Sequence, residues 1–364
     1  MDKSFEKITL GSVNSFFLTI LSFFYLTKHS LISIIIISIP IAVECIIMFS
    51  GRKIAIYNSM VLAIGLIGEI LIWQLMILSD TECFSFLFTI IYFIVSMVCF
   101  SNMSEKMLKR RCEQLLLFAI LMLIIDTIYR FIHPVVADYY QGVHFYLRYK
   151  GPGILYVDSN NTGMLVLALI GLCWYLKKNE RNMKFIIIEI LLFILLVLTF
   201  SRAAILACII FGFLFSEKVP KCLKIGMVLT AGIFLLLNIS LITGDVSTSE
   251  KLQMIKRVIN YYQSASISKI VFGIGFANSI QELGLFTHIW PLTFGVESGV
   301  LGFCSIVIMW FMLLKESMWK SMYVVFPCLL AGLSFFPLLL PYFYCIIALI
   351  INLEKKRVIL IPCI

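Results

Sequence analysis

Apolar stretches of about 20 residues recur from one end of the chain to the other, separated by short polar segments. A helix of about 20 apolar residues crosses the hydrocarbon layer of a bilayer. The pattern predicts spans at 8–27, 31–50, 54–78, 83–101, 114–132, 159–176, 184–200, 203–216, 225–242 and 291–314. The last apolar run, 321–353, is too long for one crossing, and its prolines predict two short helices divided near Phe336. We therefore predict an all-α polytopic integral membrane protein with about twelve transmembrane helices.

Two connections between these spans are long. Residues 133–158 and 243–290 are both expected on the extracytoplasmic side. Long connections in compact proteins are usually functional or disordered. Both contain aromatic residues, glycines and arginines instead of low-complexity sequence, which favours ordered structure over the membrane face. No soluble domain is indicated, so residues 1–364 are expected to form a single membrane domain.

The composition excludes several classes of protein. Hydrophobic residues make up 61% of the chain and charged residues 13%, against about 45–50% and about 25% in soluble domains. A soluble enzyme, a disordered protein and a nucleic-acid-binding domain are excluded, so no nucleic acid is expected as a partner. Seven of the eleven cysteines lie singly inside apolar runs, a spacing that indicates packing residues and not a disulfide or metal framework.

The basic residues predict the orientation of the chain. More than two thirds of the 29 Lys and Arg residues fall on the same side as the two termini. Cytoplasmic loops of membrane proteins are enriched in Lys and Arg, so both termini are expected in the cytoplasm. Most of the net charge of +9 is therefore a topology signal and needs no acidic partner.

Three arginines on the outward side, Arg148, Arg202 and Arg257, are candidate ligands for an anion. Arg202 lies between two apolar spans with almost no connecting loop, where a guanidinium is costly unless it finds an anion or water. Arginine binds phosphate oxygens through paired hydrogen bonds, and it would stabilise a departing diphosphate. A phosphorylated lipid is the expected ligand. The alternative, an arginine that reaches lipid headgroups, stays open for Arg202 and is the expectation for Arg130.

Acidic side chains are predicted both outside and inside the spans. Those of the two long connections are well separated in sequence, which favours a site without a metal ion. The acidic residues inside the spans are Glu44, Glu69, Asp126 and Glu189. Charged groups at such positions usually face the protein interior. We expect them to hydrogen-bond between helices, and proton or ion coupling in a transporter is the alternative.

Two motifs lie near the end of the second long connection. Residues 273–276, Gly-Ile-Gly-Phe, share two glycines with a dinucleotide-binding fingerprint but lack its strand and third glycine. A tight turn is the expected structure. His288 begins the next span and is a candidate general base. An interfacial histidine bonded to a backbone carbonyl is the alternative.

These motifs occur in a recognisable order between about residues 140 and 315. They are Arg148 and Gly151 with Asn160 and Asn161, then Ser201-Arg202-Ala203, then Arg257 before Gly273-Ile274-Gly275, then His288 and Glu297-Ser298-Gly299-Val300-Leu301-Gly302. The order resembles the bacterial O-antigen polymerase and O-antigen ligase superfamily (Wzy/WaaL-like). The resemblance implies a multi-pass glycosyltransferase of the bacterial cytoplasmic (inner) membrane, GT-C-like in fold and independent of metals and cofactors. Such enzymes transfer a glycan from undecaprenyl diphosphate to an acceptor hydroxyl.

The resemblance also implies roles for individual residues. Arg202 and Arg257 would bind the diphosphate, and Arg148 would help to bind the substrate. His288 would be the catalytic base, and Glu297 would orient it or the loop. The secondary substrate contacts would be Asn160, Asn161 and Ser201. The implied partners are the undecaprenyl-diphosphate-linked oligosaccharide and membrane lipid, with a chain-length regulator protein as a further candidate.

The residues after His288 favour one branch of this superfamily. Its ligases tend to carry a His–Asn pair before the Glu-x-Gly motif, whereas Ile, Trp and Pro follow His288 here. A polymerase of O-antigen or capsule is therefore expected. A ligase that moves the glycan to lipid A–core is the second candidate, and a flippase or other transporter is the candidate from a different class. Five tyrosines of the first long connection are expected to stack on sugars or to form an interfacial belt: Tyr139, Tyr140, Tyr146, Tyr149 and Tyr156.

Overall fold

The computed structural model describes residues 9–23, 30–50, 55–78, 83–135, 142–180, 182–217, 219–224, 246–276, 278–284, 289–333 and 340–360. Within these ranges every regular element is a helix and no strand is present, which confirms the predicted all-α class there. The predicted span 225–242, the division near Phe336 and the candidate base His288 lie outside the described residues.

The predicted span 291–314 is divided at Ser298 and further helices lie in the two long connections, but the described helices otherwise follow the predicted spans. They are α1 (Leu10–Leu21), α2 (Ser30–Phe49), α3 (Asn58–Glu69, continued by a π-helical segment Ile70–Ile77), α4 (Cys83–Ser101), α5 (Glu105–Ile132), a 3₁₀ helix (Gly142–Tyr149), α6 (Ser159–Glu180), α7 (Met183–Leu198), α8 (Arg202–Phe215), α9 (Val246–Ser264), α10 (Ile267–Phe272), α11 (Ser279–Leu283), α12 (Trp290–Glu297), α13 (Gly299–Glu316), α14 (Met322–Ala331) and α15 (Pro341–Leu360). α4 has the predicted bounds, and α14 and α15 lie on either side of the predicted division of the last apolar run.

The start of α5 departs most from the prediction, because the helix begins at Glu105 and not at residue 114. Ser104 caps it, since its Oγ accepts a hydrogen bond from the N–H of Met107 at 3.3 Å. Glu105 then pairs with Lys109 at 3.0 Å and with Arg357 of α15 at 3.2 Å. Hydropathy predicts where a helix becomes apolar, so it misses charged turns that precede that point.

Four of the described helices are long and apolar enough to cross a membrane: Asn58–Ile77, Glu105–Ile132, Ser159–Glu180 and Gly299–Glu316. Shorter apolar helices accompany them. Large apolar side chains cover the outside of the bundle, with Phe49 91% and Met76 76% exposed. Soluble proteins rarely expose wide apolar surfaces, so the architecture is consistent with a membrane protein. The number of about twelve spans and the GT-C-like architecture stay predictions.

The core of the bundle is built around α6. In its apolar window 89% of the residues are buried, and it packs against α7, α8, α14 and α15. Gly171 allows the close approach of α14, because a Cβ atom there would lie 2.3 Å from the carbonyl oxygen of Tyr323. The helix that begins with Arg202, α8, therefore packs on a buried helix.

Contacts between helix ends distinguish the two ends of the bundle. At the first, which we name the loop end, the rings of Phe131 at the end of α5 and Phe200 before α8 are 6.3 Å apart. Tyr156 also lies there and donates a hydrogen bond to the carbonyl of Phe23, just after α1, at 2.6 Å. At the opposite end, Glu316 of α13 accepts from the N–H of Ser59 in α3 at 3.0 Å. The first long connection and the start of α8 thus share one end.

Two of the acidic residues inside the predicted spans join neighbouring helices, as expected. Glu44 of α2 accepts a hydrogen bond from Asn14 of α1 at 2.9 Å. Glu189 of α7 accepts from the indole N–H of Trp174 in α6 at 2.7 Å and also pairs with Lys177. Both contacts give the carboxylate a hydrogen-bonding partner within the protein, which lowers the cost of placing it in an apolar bundle.

Candidate functional site

Asp126 and Arg130 form a buried ion pair one turn apart at the loop end of α5. Arg130 Nε donates to Asp126 Oδ2 at 3.1 Å, and the side chains are 1% and 0% exposed respectively. The expectation that Arg130 reaches lipid headgroups is therefore wrong. The guanidinium points into the protein, where a carboxylate offsets the cost of burying it.

The same carboxylate fixes the first long connection on the end of α5. Asp126 Oδ1 accepts a hydrogen bond from the N–H of Leu155 at 2.9 Å. Gly153 lies so close that a Cβ atom there would be 2.1 Å from that oxygen. Further along, the N–H of Val135 donates to the carbonyl of Arg148 at 2.8 Å. The described part of this connection is therefore ordered, as expected, and Arg148 is half-buried within it.

Aromatic rings cover the junction between this connection and α8. Tyr149 stacks on Phe131 with ring centroids 4.6 Å apart, and Tyr146 and Tyr149 lie 6.1 and 6.2 Å from Phe200. Phe200 has a φ of 54°, a left-handed conformation that is uncommon for a bulky residue. Tyr156 is 1% exposed, so it does not present a ring to a sugar. These contacts show tyrosines packed on the protein's own rings.

The start of α8 lies beside the start of α6. Arg202 is the first residue of α8 and is exposed, whereas Ser201 is 2% exposed. Gly163 of α6 packs on Ser201, since a Cβ atom at Gly163 would lie 2.7 Å from the Ser201 Cβ. The N–H of Ser159 faces the carbonyl of Lys150 at 3.4 Å. Lys150, the first turn of α6 and Arg202 are thus neighbours.

Five charged side chains from these elements form what we name the loop-end charge cluster: Asp126, Arg130, Asp158, Lys150 and Arg202. Electrostatic interactions link Arg130 to Asp158, Asp158 to Lys150, and Lys150 to Arg202. Burial lowers the pKa of the Lys150 ammonium group, Asp158 opposes this effect, and the positive charge of Arg202 adds to it. Among these five residues, the sequence predicts a role in substrate binding for Arg202 alone, because residues far apart in the chain create the cluster.

The first turn of α6 contains several buried polar atoms. Asp158 accepts hydrogen bonds from the backbone N–H and the side-chain amide of Asn160, at 2.9 and 3.1 Å. In this turn, three buried oxygens have no hydrogen-bond partner among the described residues: Ser159 Oγ, Asn161 Oδ1 and Thr162 Oγ1. Buried polar atoms normally have a partner. A hydroxyl-bearing ligand or ordered water would satisfy them.

The predicted turn at 273–276 pairs with the break between α12 and α13. The N–H of Gly275 donates to the carbonyl of Glu297 at 3.0 Å. Gly273 and Gly299 have φ angles of 85° and 66°, which favour glycine. A Cβ atom at Gly273 would lie 2.2 Å from the Glu297 carbonyl oxygen. The tight turn is confirmed, and it brings together two motifs that are distant in the sequence.

Two side chains of α3's π-helical segment hold this turn in place. Gln74 donates to the carbonyl of Glu297 at 3.2 Å and accepts from the N–H of Phe276 at 3.1 Å. Trp73 donates from its indole to the carbonyl of Gly273 at 3.3 Å. Sequence reasoning missed both residues. The available signal was a glutamine in the middle of an apolar span, where an amide needs hydrogen-bonding partners.

Arg257 lies on α9, exposed, in the second long connection. Its Nη1 donates to the carbonyl of Leu283 at the end of α11, at 2.6 Å. Part of its hydrogen-bonding capacity therefore holds α11 against α9. Burial raises the pKa of the nearby Tyr261 to about 12, with further contributions from Tyr262 and Glu282, so the phenol is neutral at physiological pH.

Comparisons with known protein families, curated proteins and solved structures find no match to this chain. Among the described residues, no group of three or more His, Cys, Asp or Glu side chains has the arrangement of a metal site. Glu297 is 3% exposed at the helix break. Its predicted partner His288 lies outside the described residues, so their pairing stays a prediction.

α14 contacts both the helices beside the loop-end charge cluster and the residue that begins the helix of Glu297. It packs against α6 and α8, whose first residues lie in or beside the loop-end charge cluster. Just after it, the carbonyl of Gly332 accepts a hydrogen bond from the N–H of Trp290 at 3.2 Å, and Leu329 accepts from the Trp290 indole at 3.2 Å. Trp290 begins α12, the helix that carries Glu297. The arrangement offers exposed and half-buried cations at one end of an apolar bundle, which suits an anion attached to a lipid.

Proposed function

We propose that the protein is a polysaccharide polymerase of the bacterial inner membrane that joins lipid-linked repeat units of O-antigen or capsule. The observation that supports this most is the loop-end charge cluster, in which Arg202 and Lys150 lie together beside apolar helix surface. A lipid diphosphate can reach such a site laterally from the bilayer, with its chain in lipid and its phosphates against the cations. The donor provides its own leaving group, so no nucleotide sugar is required outside the cytoplasm.

In this proposal the acceptor is the terminal hydroxyl of a second lipid-linked repeat unit. Its oxygen attacks the anomeric carbon of the donor glycan as the bond to undecaprenyl diphosphate breaks. The diphosphate departs with the bonding electrons, and Arg202, Arg257 and Arg148 stabilise its charge. His288 removes the proton of the acceptor hydroxyl, and Glu297 orients the histidine or its loop. The secondary contacts to substrate are Asn160, Asn161 and Ser201.

A transporter is the main candidate from a different class, and the break between α12 and α13 bears on it. Broken helices form ion and substrate sites in many transporters, because their freed carbonyls coordinate the cargo. Here the carbonyl of Glu297 accepts from Gly275 and Gln74. The break is occupied by the protein's own turn, which favours a structural role. A ligase that transfers the glycan to lipid A–core shares the donor chemistry and remains the second candidate.

Deletion of the gene in its own bacterium tests these functions against one another. Loss of a polymerase is expected to leave lipid A–core, or the equivalent acceptor, bearing a single repeat unit. Loss of a ligase leaves finished polymer on the lipid carrier, and loss of a flippase leaves lipid-linked units on the cytoplasmic leaflet. Gel analysis of surface glycan with extraction of carrier lipids separates the three outcomes. Either of the last two phenotypes contradicts the polymerase.

Complementation with the wild-type gene and with a variant at the opposite end of the bundle provides the control. Lys184→Gln is suitable, because Lys184 pairs with Glu113 away from the loop end and both side chains are partly exposed. Both genes are expected to restore long-chain glycan. A chain-length regulator, if it is a partner, would alter the length distribution without affecting the first linkage.

A further inference from the structure

Lys150 and Arg202 are neighbouring cations that belong to different elements. Three contacts bring them together, and these are made by Lys150 itself and by residues next to the two cations in the chain. The carbonyl of Lys150 lies 3.4 Å from the N–H of Ser159 at the start of α6, and α6 packs on Ser201 through Gly163. Tyr149, next to Lys150, lies 6.2 Å from the ring of Phe200, two residues before Arg202.

Among the five side chains of the loop-end charge cluster, positive charges outnumber negative charges. The loop-end charge cluster has three cations and two carboxylates, and Asp126 is already bonded to Arg130. Asp158 shares its oxygens with the backbone and side chain of Asn160. Arg130 Nη1 is buried and has no hydrogen-bond partner in the described part of the chain. Adjacent cations repel each other, and an anion that lies near both offsets this repulsion.

We infer that Lys150 and Arg202 together bind one phosphoryl group, and that Asp158 acts as the counter-ion of Lys150 when the site is empty. The identification of that group as part of a lipid diphosphate rests on the proposed function, but binding of a diphosphate anion does not. Sequence reasoning paired Arg202 with Arg257. The structure adds Lys150 as a neighbour of Arg202. Arg257 donates one of its hydrogen bonds to the carbonyl of Leu283.

Asp158 distinguishes this inference from a purely structural role of the cluster. Replacing it by Asn keeps an oxygen that can accept from Asn160 but removes the negative charge next to Lys150. If the cluster only stabilises the fold, this substitution has no reason to improve anion binding. If Asp158 competes with the ligand for Lys150, the Asp158→Asn variant binds the anion more tightly.

The test measures binding to the purified full-length protein in detergent micelles by isothermal titration calorimetry. The two probes are inorganic pyrophosphate and farnesyl diphosphate, a short lipid diphosphate. Lys150→Gln and Arg202→Gln are each expected to weaken binding about tenfold or more, because each removes a charged hydrogen-bond donor. Asp158→Asn is expected to strengthen it severalfold. Lys150→Arg keeps the charge and is expected to retain most of the affinity.

Lys269→Gln is the matched control. Lys269 lies in the second long connection, outside the cluster, and pairs with Glu282 at 2.6 Å. It is expected to bind both probes as wild type does. Size-exclusion profiles and thermal unfolding identify any variant that fails to fold. If a Gln variant fails to fold, the binding measured for Asp158→Asn and Lys150→Arg tests the inference instead. The inference is overturned if Lys150→Gln binds pyrophosphate like wild type, or if Asp158→Asn binds it more weakly.

The two probes separate the sources of the anion. Tighter binding of farnesyl diphosphate than of pyrophosphate supports a lipid diphosphate, and equal binding supports a free anion at the same cations. The inference also fails independently of the proposed function. A single-repeat deletion phenotype with unchanged binding by Lys150→Gln overturns the inference alone. Weakened binding by Lys150→Gln with a deletion strain that still makes long-chain glycan overturns the polymerase alone.

Discussion

The buried pair of Asp126 and Arg130 gives a strong prediction about how the first long connection is attached. Replacing Asp126 by Ala removes the partner of a guanidinium that is 1% exposed. It also removes the acceptor of the Leu155 N–H. Breaking a buried ion pair from one side costs about 3–5 kcal/mol, because an uncompensated charge stays behind. Asp126→Ala is therefore expected to lower the free energy of unfolding by about that amount.

The double variant Asp126→Leu with Arg130→Met separates the charge from the attachment of the loop. Replacing a buried pair by apolar side chains of similar volume is often neutral or stabilising, so most of the lost stability is expected to return. A residual loss of about 1–3 kcal/mol is expected for the Leu155 N–H, which stays buried without its acceptor. The double variant is thus expected to be folded but to hold the connection less firmly.

Unfolding of the detergent-solubilised protein, measured by helical circular dichroism, gives the stabilities of Asp126→Ala and of the double variant. Limited proteolysis within 142–158 reports separately on the attachment of the connection. The reasoning is refuted if Asp126→Ala loses less than about 1 kcal/mol, since such a small loss does not fit a buried ion pair. It is also refuted if the double variant is no more stable than Asp126→Ala.

Three further predictions concern the rest of the site. Arg202→Ala and Arg257→Ala are expected to abolish long-chain glycan at unchanged protein levels, and long chains in both variants would contradict the site assignment. Gly273→Ala is expected to destabilise the fold by about 1–3 kcal/mol, because its Cβ would lie 2.2 Å from a carbonyl oxygen at a φ of 85°; Gly65→Ala, with nothing within 4 Å, is the control expected to be neutral in thermal unfolding. Pyrophosphate binding is expected to weaken as pH rises through the lowered pKa of Lys150, since only the ammonium form binds the anion. Lys150→Arg keeps its positive charge over this pH range, so its binding does not depend on the titration of Lys150. The reasoning is contradicted if the wild-type protein and Lys150→Arg show the same pH dependence of pyrophosphate binding.

Hydropathy predicted the described helices well because one physical requirement dominates this chain. Backbone groups in hydrocarbon must be satisfied within a helix, so apolar length predicts a helix directly. α4 has the predicted bounds for this reason. The charged first turns of α5 were missed because the Ser104 cap and the Glu105 pair with Arg357 determine them, and neither contact contributes to hydropathy.

The candidate site was less predictable, since its residues are brought together by contacts between distant segments. Arg202 was identifiable from its apolar flanks alone. Lys150 and Asp158 have no unusual local sequence. The contact of Lys150 with the start of α6 and the packing of Gly163 on Ser201 explain their position beside Arg202. Hydropathy alone predicts Arg130 at the membrane surface. Its spacing of four residues from Asp126 on one helix is the sequence signal for the buried pair.

The scarcity of charge in this protein gives the position of each carboxylate a large effect. Asp126 is occupied by Arg130 and by the backbone of the first long connection, so it cannot neutralise Lys150 or Arg202. Asp158 is the cluster's remaining carboxylate, and it also caps the start of α6 through Asn160. An incoming phosphoryl group would therefore meet two cations, Lys150 and Arg202, whose carboxylate Asp158 also accepts hydrogen bonds at the start of α6. A site of this kind can bind an anion without first breaking the ion pair that holds its loop in place, which allows binding and release while the connection stays ordered.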